Sequence, residues 1–175
     1  MAEHDNAEII GVLNLYGFLL DAQQWDLFHR VFTADVKSEF GPAGLVWPDL
    51  ASLKAHFVEF HEALDNHQHE IMGHVVHVDG DRAYAFSYGN WLLRREAVAG
   101  DPTWLGTGWY DDELVRTQAG WRIRSRVARM VSWSGNPAVS GHNPDADFAL
   151  YVLKDEIEAG RVKFFNAIAG GQGGS

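Results

Sequence analysis

Six of the nine histidines fall between His56 and His77, so the groups best able to move a proton near neutral pH are concentrated in one stretch. His56 and His61 lie on or beside an apolar stripe of helical spacing, a position that suits packing. His67 and His69 are two apart where the pattern turns to period two, which puts both rings on one face of a strand. Two chemistries would use them. A metal site would draw imidazoles from His67, His69 and His74 or His77, but strand parity turns His74 away from His69 and no carboxylate follows at a fitting spacing, so no metal is expected. A single catalytic imidazole instead needs a carboxylate from elsewhere in the chain. That partner would hold one ring nitrogen protonated and leave the other free to take a proton. With no cysteine in the sequence, thiol nucleophiles and disulfides are excluded.

The elements that must position these groups divide the chain in two. Asp5 or Asn6 can cap a first helix, in which Ile9, Leu13, Tyr16 and Leu20 recur at helical spacing and place Tyr16 on the buried face. Trp25, Phe28 and Phe32 suggest a second, short helix, and Asp35 to Phe40 a strand. Pro42 and Gly44 mark a loop. From Pro48, the residues Leu50, Leu53, Phe57, Phe60 and Leu64 predict a third helix with Pro48 in its first turn. After Asn66 the pattern becomes that of sheet. Strands over 75–78 and 82–93 flank Asp79-Gly80-Asp81, a hairpin signal. Two more, over 104–117 and 121–133, follow Gly100-Asp101-Pro102 and Ala119-Gly120. Tight turns between long strands require antiparallel pairing. Asn143 and Pro144 can begin a terminal helix through Leu150, Leu153 and Ile157, and Gly170 to Ser175 read as a flexible tail. Helices first and a strand meander afterwards imply an α+β fold.

Composition narrows the partners. The chain has 175 residues, 46% of them hydrophobic and 22% charged, enough for one compact domain with a sizeable core. Its formal charge of −10 repels phosphate backbones and argues against a nucleic-acid partner. No apolar run reaches the roughly 20 residues needed to cross a bilayer, and the acidic, polar start does not resemble an export signal, so no membrane partner is expected. A cytoplasmic protein is expected. Ten Phe, seven Trp and five Tyr can fill a core or line an apolar pocket, which favours a small hydrophobic ligand.

Several segments, taken in order, carry a resemblance. Leu15 to Asp21, followed by Trp25-Asp26 and Phe32-Thr33, then His69 ahead of Val78-Asp79-Gly80-Asp81-Arg82-Ala83, then Gly108 to Asp112, then Arg116 with Gly120-Trp121-Arg122-Ile123, together resemble the SnoaL-like proteins of the nuclear-transport-factor-like superfamily. Scytalone dehydratase, bile-acid 7α-dehydratase and hexachlorocyclohexane dehydrochlorinase belong to it. The resemblance implies a cone-shaped, curved antiparallel sheet, an α+β barrel, with N-terminal helices enclosing an apolar pocket. It would occupy residues 1–137, and residues 138–175 would add a loop, a helix and the Gly-rich tail to the same domain. The family's His and Asp pair falls on His69 and Asp21, Tyr16 matches the bile-acid dehydratase pattern, and Arg116 stands where some members place a pocket arginine. Relatives often carry Asn where this chain has Gly73, which would enlarge the pocket.

The resemblance also implies roles. Asp21 would orient His69 as a base, although it could instead cap the following helix. Tyr16 would donate to a carbonyl or a departing oxygen, and Arg116 would stabilise developing negative charge. By parity Tyr110 and Asp112 share a face with Arg116, while Tyr84, Phe86, Tyr88 and Asn90 share another run; Tyr88, Asn90, Tyr110 and Trp25 are the candidate substrate contacts. The expected activity is a cofactor-independent lyase acting on a small aromatic, alicyclic or steroid-like molecule, by dehydration or by retro-aldol loss of a small aldehyde such as formaldehyde. An isomerase or polyketide cyclase would use the same base. A non-catalytic scaffold like a dioxygenase small subunit would not need the pair. Family analogy also implies a homodimer or homotrimer.

Overall fold

The computed structural model describes residues 2–41, 45–141 and 148–170. Helix α1 (Ala2–Asp21) leads through a 3-10 turn (Trp25–Arg30) to strand β1 (Phe32–Glu39) and the two-residue β2 (Val46–Trp47). Helix α2 (Leu50–Glu62) precedes four long strands, β3 (Asn66–Asp79), β4 (Arg82–Arg94), β5 (Thr103–Thr117) and β6 (Gly120–Gly135). A 3-10 turn (Pro137–Ser140) and two short helices, α3 (Leu153–Glu158) and α4 (Lys163–Gly170), complete the order. No helix among the described residues is long and apolar enough to cross a membrane.

The cone-shaped, all-antiparallel barrel expected above is not what forms. The six strands make an open mixed sheet in the order β2-β1-β6-β5-β4-β3, with β1 parallel to β6. The two outermost strands, β2 and β3, do not pair with each other, so the sheet is neither closed nor curled into a cone. Tight turns force antiparallel pairing only between consecutive strands. β1 and β6 are separated by the whole meander, which leaves their direction free, and a two-residue β2 is too short to bridge to β3.

The helical stripe reads as expected: Ile9, Leu13, Tyr16 and Leu20 are all buried against the sheet, with Phe28, Leu53 and Phe57 from the other helical segments. The helix starts differ. α1 begins before Asp5, whose carboxylate goes instead to Arg116 at 2.9 Å and to the Trp121 indole at 3.2 Å. α2 is capped by Asp49, which accepts from the Ser52 amide at 2.8 Å, so Pro48 lies outside the first turn. Leu150 is not helical; Gly160, at φ +68°, divides the terminal region into α3 and α4. Pro42 and Gly44, the Asn143-Pro144 helix start and the tail from Gly171 lie outside the described residues.

Bulges decide which side chains face the helices. Strand β3 shifts register between Met72 and Val75, where Gly73 takes φ +65°, a conformation open to Gly and tolerated by Asn. Gly73 therefore shapes the bulge and does not line the cavity described below. The same bulge cancels the parity that was to separate His74 from His69. His74 faces α1, with its two ring nitrogens 3.0 Å from Asn14 Oδ1 and 2.8 Å from Ser87 Oγ. Beyond the hairpin at Gln118-Ala119, the register of β6 against β5 shifts opposite Glu113 and Leu114, so Trp121 and Ile123 face inward before the shift and Arg126 and Ala128 after it.

Candidate active site

Helix α1 ends where the site begins. The amides of Gln23 and Gln24 donate back to the carbonyls of Leu20 and Leu19, and Gln23 adopts φ +51°, the pattern of a Schellman stop. Asp21 is thereby fixed as the last helical residue. It faces β3, an edge strand whose outward amides have no neighbouring strand. The Asp21 carboxylate takes the free amide of His69, with its two oxygens 3.1 and 3.0 Å away, and the His69 ring Nδ1 at 2.8 Å. Gly17, one turn earlier, allows this approach, because a Cβ there would lie 2.8 Å from the His69 carbonyl oxygen.

A carboxylate can only accept from the ring, so Nδ1 carries the hydrogen and Nε2 is a bare acceptor. Among the described residues no group is hydrogen-bonded to Nε2, and His69 lines a cavity of about 270 Å³. Tyr16, Tyr110, Trp91, Trp104, Phe57 and Phe148 give its wall an aromatic character. Gly106 and Gly108 leave room for the Trp91 and Trp104 rings, which a Cβ at either position would strike.

Two phenols line the cavity, with a buried cation against their rings. Tyr16 and Tyr110 are about 1–2% exposed and stand edge to face, with ring centroids 5.8 Å apart. Burial pushes the Tyr110 phenol up to about 12 and the Tyr16 phenol well above its ordinary value. Both therefore stay protonated at neutral pH. Tyr110 accepts from the Trp91 indole at 2.6 Å. Arg126, fully buried, lies over both rings, 4.1 Å from Tyr16 and 4.6 Å from Tyr110. Burial opposes its charge, but the bidentate contact with Asp112 at 2.7 Å outweighs that and holds it protonated.

Of the eight candidates from sequence, the structure brings His69, Asp21, Tyr16 and Tyr110 together and leaves four elsewhere. Arg116 is on the same strand face as Tyr110 but six residues on, roughly 20 Å along an extended strand. There it pairs with Asp5 at 2.9 Å and Asp81 at 3.0 Å and lies over Trp121. An arginine does lie against the cavity's two phenols, Arg126, which the sequence spacing did not point to and which is buried behind the cavity wall. Tyr88 and Asn90 point to the other face of the sheet, Tyr88 half exposed and Asn90 3.3 Å from Glu70. Parity had grouped them correctly with Tyr84 and Phe86, but that run faces away from α1. Trp25 packs on Phe28 and His61 behind the cavity wall. No group of three His, Asp or Glu side chains able to hold a metal occurs among the described residues.

Comparison with known proteins agrees with this architecture. Residues 2–127 match the SnoaL-like domain family. The uncharacterized protein Rv2910c of Mycobacterium tuberculosis is 32% identical over 125 residues, covering 70% of this chain and 83% of its own. The crystal structure of the Kfla4162 protein from Kribbella flavida superposes with a TM-score of 0.76 at 30% identity, covering 81% of this chain and all of that one. A candidate scytalone dehydratase from Novosphingobium aromaticivorans shares the fold with a TM-score of 0.71 at 15% identity, over 87% of this chain and 98% of that one. The chain belongs to the SnoaL-like family.

Proposed function

We propose that this protein is a cofactor-independent lyase in which His69 is the base, Asp21 its orienting partner and Tyr16 the proton donor. The observation that carries the reading is the 2.8 Å contact of Asp21 with His69 Nδ1, which leaves Nε2 as a bare acceptor at the wall of an apolar cavity. In a dehydration, Nε2 takes a proton from carbon, the C–H electron pair becomes the new double bond, and the neighbouring C–O bond breaks. The departing hydroxide takes the Tyr16 proton and leaves as water, and solvent carries the His69 proton back to the phenolate. Arg126, against the Tyr16 ring, stabilises the negative charge that passes through the phenol. In a retro-aldol variant on a β-hydroxy carbonyl compound the same nitrogen takes the hydroxyl proton, the oxygen electrons form the carbonyl of a small aldehyde, and the pair of the broken C–C bond becomes an enolate whose carbon takes the proton back from His69. The apolar wall keeps water from competing for the base.

A cytoplasmic homodimer or homotrimer is part of the same proposal. Met72, Tyr88 and Leu105 are each at least 41% exposed on the sheet face away from the cavity, and exposed apolar groups on a sheet favour self-association.

The test incubates hydroxylated aromatic and alicyclic ring compounds with wild type and His69→Ala and reads products by mass spectrometry. Loss of one water or one formaldehyde in the wild type alone supports the reading. Equal turnover by His69→Ala would remove the base.

A further inference from the structure

On β5 the alternate residues Trp104, Gly106, Gly108 and Tyr110 share the face that carries the cavity. Tyr110 and Trp104 stand at opposite ends of that run, six residues and roughly 20 Å apart along an extended strand. The Tyr110 end holds the reactive groups. At the Trp104 end the lining is apolar, with Leu93, Met130, Phe60 and Phe148 packed around the indole, which suits an apolar ligand terminus.

Phe148 differs from the others in origin. It lies beyond residue 127, where the match to the family domain ends, on the chain that follows β6. That chain is anchored on both sides of the cavity end. The Asn136 side-chain amide donates to the carbonyls of Ala99 and Asp101 at 2.8 and 2.9 Å, and the Tyr151 amide donates to the Met130 carbonyl at 2.8 Å. Val139, 1% exposed, packs with Leu93 and Trp104. The Phe148 ring is tilted against two indoles, 4.7 Å from Trp133 and 5.9 Å from Trp104. It is nevertheless only partly buried and lines the cavity, so the surface it does not give to the indoles is open to a ligand.

We propose that Phe148 is a specificity-determining residue, whose ring closes the cavity at the end remote from Tyr16 and Tyr110 and so limits the ligand to an amphipathic ring compound with an apolar tail that stops there. The placing of the ligand's polar end at His69 rests on the reading of that residue as the base. The stop at Phe148 does not.

Calorimetric titration with para-alkylphenols of increasing straight-chain length, ethyl to heptyl, against wild type and Phe148→Ala reads the limit. Each methylene that enters the cavity should tighten binding about fourfold, until the chain meets Phe148 and the gain stops. Phe148→Ala should move that stop by about two methylenes, roughly fifteenfold in affinity for the longest chain, and leave para-ethylphenol within about twofold of wild type. A stop at the same chain length in both proteins, or no binding of the series by wild type, would overturn the proposal. Should Phe148→Ala fail to fold, Phe148→Leu decides: a stop at a longer chain than in wild type supports the proposal, and an unmoved stop overturns it. Because the limit is read from affinities and the base from turnover, either reading can fail while the other stands.

Discussion

Arg126 shows how one residue commits the neighbourhood around it. It is fully buried, and Asp112 is its one carboxylate partner at hydrogen-bond distance among the described residues. Removing one member of a buried pair leaves the other charge unsolvated, which costs more than the pair itself contributes. Asp112→Asn should therefore destabilise the protein by about 3–5 kcal/mol in urea unfolding, whereas Asp81→Asn, at the exposed ion pair with Arg116, should change stability by less than about 1 kcal/mol. The sequence hid Arg126 for a geometric reason. An unbroken hairpin from Thr117 and Gly120 would place Ser125 opposite Asp112, and only the bulge between Glu113 and Leu114 slides Arg126 into that place. Asp21 and His69 needed no such register, because the family spacing already pairs them.

At the level of elements, the site depends on how closely α1 lies on β3. Gly17 is the contact point, since a Cβ would meet the His69 carbonyl oxygen, whereas Gly11 on the same helix has nothing within 4 Å. Gly17→Ala should cost about 1–3 kcal/mol and shift Asp21 away from His69, while Gly11→Ala should stabilise the helix by roughly 0.5–1 kcal/mol. Thermal unfolding of the two variants beside wild type checks both signs. Helical stripes and turn residues located α1, α2, β4, β5 and β6 within a few residues, because each depends on local spacing, whereas β3 starts at Asn66, well before the expected 75. The parallel β1–β6 pair and the bulge at Gly73 were not legible. Both arise from contacts between distant segments, and a one-residue slip reverses every side chain beyond it, as it did for His74.

Across the whole molecule, the sheet separates two layers with different tasks. One face carries the cavity under α1 and α2. The other receives α4, whose first amides, Lys163 and Phe164, donate to Asp111 at 2.7 and 3.0 Å while Val162 and Phe164 pack on Phe86 and Trp109. The buried histidines give the cavity layer an acid limit. His61 has a folded pKa of about 4 against an ordinary 6.5, so between these values the unfolded chain binds more protons than the folded one. Its contribution is complete above pH 6.5 and is lost as pH falls through about 4, roughly 3 kcal/mol in all. Burial lowers His56 and His74 in the same direction. Urea unfolding across that range should show stability falling toward acid, and His61→Phe should flatten the slope.

The central claim is that Asp21 holds His69 as the Nδ1–H form with Nε2 bare toward the cavity. Long-range proton–nitrogen NMR correlation of the neutral His69 ring reads this directly and needs no substrate. The predicted result is a protonated Nδ1 and an unprotonated Nε2 in wild type, with that preference lost in Asp21→Asn. A His69 ring protonated on Nε2 in the wild type would contradict the account.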